Sequence, residues 1–328
     1  MPELFSRTRN VQKRSADEEK QKTARLSVLS NITLVLMKLS VGFAVGSLAI
    51  ISEAIHSGID LLAAVIAYIS VKKASEPPDE IHEFGHGKFE DMSGFFEALL
   101  IFAAAVLIMY EAVMKLIHGS SAFNTDLFGL FGIGILVMGI SAVINFYVSS
   151  RLMKVAKETE SIALESDAWH LRTDVYTSAG IMAGLILIKL TGILILDQLF
   201  AIGVAVIIMH AAYELTVRSF GTLTDRKLSD EEEIRIKEIL CDHATDFANF
   251  HALRTRRSGA DRFIDLHLVV AKDTTVEEAH DLSDHLEADI LLEFPRTSIT
   301  IHIEPCSGTC GGCTSLCRQG TTPAKSEL

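Results

Sequence analysis

Proline, cysteine and tryptophan are scarce, with six, five and one in 328 residues. So few prolines exclude a collagen-like or proline-rich disordered chain, and five cysteines are too few for a disulfide scaffold. Basic charge is also short. Lys and Arg number 30 against 42 Asp and Glu, a formal net charge of −12, which argues against a nucleic-acid partner because phosphate binding needs a basic surface. No glycine-rich ATP loop occurs. Apolar residues, by contrast, are abundant. They make up 49% of the chain while 22% is still charged, and the two kinds alternate in long blocks, as in a membrane domain joined to a soluble one.

Six stretches reach the roughly 20 apolar residues that cross a bilayer. The first, about 26–48, carries only Lys38, and the second, about 48–71, carries Glu53, His56 and Asp60. The third, about 94–117, holds Glu97, Glu111 and Lys115, and the fourth, about 127–150, holds no charge. The fifth, about 167–190, contains His170, Arg172 and Asp174, and the sixth, about 193–216, contains Asp197, His210 and Glu214. About 24 polar residues come first, so no cleavable signal is expected. Lys and Arg crowd the N-terminal arm and the connections after stretches two (Lys72, Lys73, Lys88) and four (Arg151, Lys154, Lys157), and avoid the others. Both termini are therefore expected in the cytosol.

From about Asp225 the pattern becomes that of a small α+β domain. A helix over 230–244 with Ser229 as N-cap is followed by strands over 251–257 and 262–271, a helix over 276–294 and a strand over 297–304. The expected organisation is an arm over 1–24, a six-helix membrane domain over 25–217, an αββαβ ferredoxin- or metallochaperone-like domain over 218–305, and a Cys-rich tail over 306–328. Only the two ends look unstructured.

Three groups of residues have metal-ligand character. His56 and Asp60 are four apart on one helical face, and His170 and Asp174 repeat that spacing. Ionisable groups inside a bilayer are costly and mark sites or pathways. If the two helices touch, two imidazoles and two carboxylates form a tetrahedral set suited to zinc; otherwise each pair is a hydrogen-bonded couple lining a water cavity. The loop PPDEIHEFGHGKFED over 77–91 offers Asp79, His82 and His86, with Gly85 and Gly87 permitting a tight turn. Strand parity puts Ile264, Leu266, Leu268 and Val270 on one face and Asp265 and His267 on the other. In the last strand it sets Ile299, Ile301 and Ile303 against Thr300, His302 and Glu304. His267, His302 and Glu304 then meet on the face the helices leave open, joined by His251 or His280. A water-facing polar sheet is the competing reading. In the tail, Cys306, Cys310, Cys313 and Cys317 supply thiols for zinc or a softer metal. Cys241 reads as core, and His118, His210, His243 and His285 as structural or surface.

HSGID (56–60), HEFGHGKFED (82–91), HLRTD (170–174), LTDR (223–226) and HALRTRRSGADRFIDLHL (251–268) together resemble the cation diffusion facilitator family of proton-coupled zinc transporters. The resemblance runs from about Ala24 to Cys306. It implies a homodimer in the bacterial inner membrane, with zinc as substrate and structural or regulatory ligand and protons as counter-ion. It further implies a transport site of His56, Asp60, His170 and Asp174, a loop site of Asp79, His82 and His86, and a binuclear cytosolic site of His251, His267, His280, His302 and Glu304. Lys88 and Asp225 match a charge pair at the membrane–cytosol junction. Several bacterial members have Asp in place of His56, and the form with two histidines resembles the more zinc-selective ones. Related exporters carry Asp where this chain has Glu304. The Cys-rich tail lies outside the family pattern.

The expected function is efflux of a divalent transition metal by alternating access, without covalent chemistry and so without an enzyme activity. Two other classes compete. A metal-sensing membrane scaffold would bind zinc without flux. A membrane di-iron oxidase could use Glu53-x-x-His56 and Asp167-x-x-His170, but it needs further carboxylates from two other helices, and the fourth has none.

Overall fold

The computed structural model describes residues 2–46, 48–118, 128–191 and 195–306. Six long helices come first: α1 (Pro2–Val45), α2 (Leu48–Ala74), α3 (Lys88–His118), α4 (Phe128–Thr159), α5 (Ile162–Thr191) and α6 (Ile195–Leu223). Then follow α7 (Asp230–Asp242), β1 (Asn249–Ser258), β2 (Asp261–Val270), α8 (Val276–Glu293) and β3 (Thr297–Pro305). Residues 14–223 form one compact unit, and the residues from 224 onward, with the first 13, form another.

Among the described residues of the first unit, five helices have the length and apolarity to cross a membrane, those containing Lys13–Ala44, Glu53–Ala74, Lys88–His118, Leu136–Thr159 and Gln198–Leu223. Helix α5, 30 residues long, carries Glu165, Asp167, His170, Arg172 and Asp174 in its first half. Burial is arranged for lipid rather than water. On α2, Ile55, Ile59, Leu62, Ile66 and Ile69 are exposed along one stripe, while Ala54, Ser57, Asp60, Ala64, Ala67 and Val71 face inward. Small and polar residues inside with branched aliphatics outside is the signature of helices that pack in a bilayer. Lys38 is satisfied in the interior by Glu53 at 2.9 Å and Ser57 at 2.7 Å, which ties α1 to α2.

Two helices outrun the expected spans. The arm over 1–24, expected to be unstructured, is helical from Pro2 and continuous with the first span. No Gly or Pro interrupts residues 3–41, and the arm is rich in Glu, Lys, Arg and Gln, all strong helix formers. Likewise the basic segment 151–157 is the last part of α4. The chain turns at Glu160, whose φ is 54°, and the Ser161 hydroxyl then accepts from the Leu164 amide at 3.3 Å to start α5.

The second unit has the expected αββαβ order. Its sheet runs β1-β2-β3, with β1 antiparallel and β3 parallel to β2. Ile236, Ile239 and Leu240 of α7, and Leu286 and Ile290 of α8, pack with Ile264, Leu266, Leu268 and Val270 into one core, with Cys241 at its edge. The helices thus cover the apolar face. Both carry capping boxes, Ser229 with Glu232 and Thr275 with Glu278.

Candidate metal centres

Helices α2 and α5 bring together Asp60, His170 and Asp174, whose ligand atoms all lie within 4.8 Å of one another. His170 Nε2 is 3.1 Å from Asp60 Oδ1. From α4, which has no charged residue inside the expected span, Asn145 donates to Asp174 Oδ2 at 3.4 Å. His56 sits one turn before Asp60, near enough to Asp174 for their charges to interact, but it is exposed and outside the 4.8 Å group. Glu53 is held by Lys38, which removes it from the ExxH pairing that an oxidase would use.

In the loop between α2 and α3, Asp79, His82 and His86 form a second group. Asp79 Oδ1 accepts from the amides of His82 at 2.6 Å and Ile81 at 3.0 Å. The His82 amide, then that of Ile81, outweigh the small desolvation and hold the Asp79 carboxyl down to about 2. Gly85 takes φ +84°, a left-handed conformation that a side chain would resist, so His86 folds back over Asp79. The two rings lie 4.5 Å apart. His86 is 2% exposed, its Nε2 is 3.1 Å from Asp79 Oδ2, and neither ring nitrogen makes a well-directed hydrogen bond. Two imidazoles and a carboxylate are ligand types that a divalent metal such as zinc accepts.

On the open face of the sheet, His251, His267 and His302 are aligned in register across three strands. Glu304 reaches over them, with Oε2 3.0 Å from His251 and Oε1 2.8 Å from His267, and these two contacts, His251 first, lower its pKa. Those three residues form the third group; the His302 ring stacks on His267 at 4.8 Å, but its Nε2 stays 3.9 Å from Glu304. His280 does not join them. It sits on α8, the helix that covers the apolar face, and pairs with Asp284 at 3.8 Å. A bulge between His251 and Arg254, with Ala252 at φ 52°, keeps both of those side chains on the open face while Phe250 and Thr255 stay buried.

Lys88 donates to the carbonyls of Thr222 and Leu223, both at 3.2 Å, near the end of α6, and Asp225 faces Arg256 at 3.5 Å. Cys306 is half-buried, and its amide donates to Val270 at 2.8 Å; Cys310, Cys313 and Cys317 lie outside the described residues.

Residues 24–224 match the family model described as the cation efflux transmembrane domain, and residues 228–306 the one described as the cation efflux protein cytoplasmic domain. The chain belongs to the cation efflux, or cation diffusion facilitator, family. An uncharacterized transporter of Synechocystis sp. is 32% identical over 282 residues, 86% of this chain and 89% of its own length. The cation-efflux pump FieF of Pectobacterium atrosepticum is 30% identical over 276 residues, 84% and 89% of the two chains. A solved structure of CzrB in its Zn form is 44% identical over 25% of this chain and 92% of its own, with a TM-score of 0.24, which bears no weight here. As a cation efflux protein, the chain is a multi-pass membrane transporter that expels divalent cations.

Proposed function

We propose that this cation efflux protein exports zinc from the cytosol in exchange for protons, as a homodimer in a bacterial inner membrane with both termini cytosolic. The observation that carries the reading is the convergence of Asp60, His170 and Asp174 from two helices within 4.8 Å. His56 completes an N₂O₂ set by turning its ring one helical turn inward. Imidazole must be neutral to ligate, so protonation and zinc binding exclude each other, and an ordinary histidine titrates near about 6.5. Zinc entering from the cytosol displaces protons, and protons entering from the far side expel zinc as the helices rock about the site. Asp60 and Asp174 offset the cost of a dication in the bilayer.

The loop triad and the sheet-face group of His251, His267 and Glu304, with His302 at its margin, are cytosolic zinc sites in this reading. In this reading Lys88 and Asp225 are the charge pair at the membrane–cytosol junction that the family resemblance implies. The test is zinc flux with an internal pH dye in proteoliposomes. Zinc should move against protons, and Asp60→Ala or His56→Ala should cut flux at least about tenfold in a folded dimer. Zinc binding with no flux would replace transport by sensing, and unchanged flux in both variants would remove the site assignment.

A further inference from the structure

Below the central site, toward the end of the bundle that carries the N-terminal part of α1, the interior is polar in two further layers. In the outer layer Lys20, 1% exposed, lies 3.0 Å from Glu90, also 1% exposed, and the Ser161 hydroxyl donates to the same carboxylate. Seven residues further on along α1 and α3, and six along α5, stand Ser27, Glu97 and Asp167, about 10 Å deeper at the helical rise. Here α3 and α5 are in close contact. Ser166 donates to the Gly94 carbonyl at 3.2 Å, and a Cβ on Gly94 would meet Ile162 at 2.6 Å. That approach sets Glu97 and Asp167 within electrostatic reach of each other and of His170, with the Ser27 hydroxyl beside Asp167.

The two layers differ in how their charge is met. Glu90 has a fixed ammonium; Glu97 and Asp167 have none. Both oxygens of Glu97 and Oδ2 of Asp167 are buried without a hydrogen-bond partner among the described residues. Their residues are 5% and 1% exposed. A buried carboxylate left unpaired is expensive, and a structural role would be served by a lysine, as it is one layer out. Buried, unpartnered carboxylate oxygens from two adjoining helices, within electrostatic reach of each other, instead suit a hard or partly hydrated dication.

We infer that Glu97 and Asp167, with Ser27 beside them, form a second cation site, a waypoint holding a partly hydrated divalent cation between the Lys20 end of the bundle and the Asp60–His170–Asp174 site. This rests on the transport-site reading above. Carboxylate donors alone strip little water and bind loosely, so the cation is captured and passed on rather than trapped. The nitrogen ligand His170 lies one turn further along α5, about 4.5 Å of rise from Asp167.

The test uses the full-length protein in liposomes with Zn²⁺ as the only added metal. Dicyclohexylcarbodiimide, an apolar reagent for buried carboxyls, is mapped by mass spectrometry. Saturating zinc should lower labelling of Glu97 about tenfold in the native protein and equally in His170→Ala. Absent protection, or protection lost in His170→Ala, would overturn the waypoint. Glu97→Gln, of the same shape, should lower flux at sub-saturating zinc about tenfold while the dimer stays folded by gel filtration, with Asp167→Asn as the second variant. Native flux in both would overturn the proposal even where Glu97 resists the reagent. Native flux in His170→Ala would instead remove the transport-site reading and leave zinc protection of Glu97 standing or falling by itself.

Discussion

Asp79 shows how a single exposed residue can organise a metal-ready loop. Its folded-state pKa, about 2 against an ordinary 3.8, is lowered chiefly by the His82 amide. The folded value lies below the unfolded one, so the ionised carboxylate contributes to loop order above about pH 4, and this is lost as pH falls toward 2. Protection of the His82 amide against exchange, taken relative to its intrinsic rate at each pH, should fall across that interval; protection unchanged from about pH 4 to pH 2 would contradict it. Asp79→Asn is expected to weaken zinc binding at the loop about tenfold, read by zinc titration of the full chain. The ligand types were readable from HEFGHGKFED, but the turn that buries His86 against Asp79 depends on Gly85 adopting φ +84°.

Among elements, the contact of α1, α3 and the start of α5 is fixed by buried charge. Lys20 and Glu90 are both 1% exposed, and Lys20 also lies 3.6 Å from Asp17, so removing the ammonium leaves the buried Glu90 carboxylate without a charge partner. Lys20→Met should lower unfolding stability by about 3–5 kcal/mol, and Lys20→Met with Glu90→Gln should recover most of it, read by denaturation in detergent. A double variant no better than the single would show that the pair does not hold the helices. Gly94→Val tests the neighbouring contact, since its Cβ would meet Ile162 at 2.6 Å. It should force α3 and α5 apart and lower both thermal stability and flux, by about 1–3 kcal/mol for the former. The long helix through the arm and the Lys20–Glu90 contact show where reading by spans stops short. Apolar length marks the part of a helix that lipid demands, whereas the helix ends where glycine, proline or a left-handed residue such as Glu160 breaks it.

At the scale of the whole molecule, the membrane unit of a cation efflux protein is joined to an αββαβ unit that gathers His251, His267 and Glu304 on its open sheet face. His251→Ala with Glu304→Ala should abolish zinc binding at that face, measured by zinc titration of the full chain. Flux should survive, because the Asp60–His170–Asp174 group is complete without the soluble unit. Loss of flux equal to that of Asp60→Ala would make the two units one site instead. Local pattern was enough to establish much of this organisation: apolar runs for α1 to α6, strand parity for the sheet, and a spacing of four that sets His170 and Asp174 on one helical face. Those follow from periods of 3.6 and 2 that each segment carries within itself. Tertiary packing decided the rest. It brought Asn145 to Asp174, left His280 on the helix-covered side of the sheet, and left both oxygens of Glu97 and Oδ2 of Asp167 without hydrogen-bond partners among the described residues, within electrostatic reach of His170. Which polar groups meet depends on the rotation and closeness of neighbouring helices, governed here by contacts as specific as Gly94 against Ile162, and no periodicity along one segment encodes the distance to another.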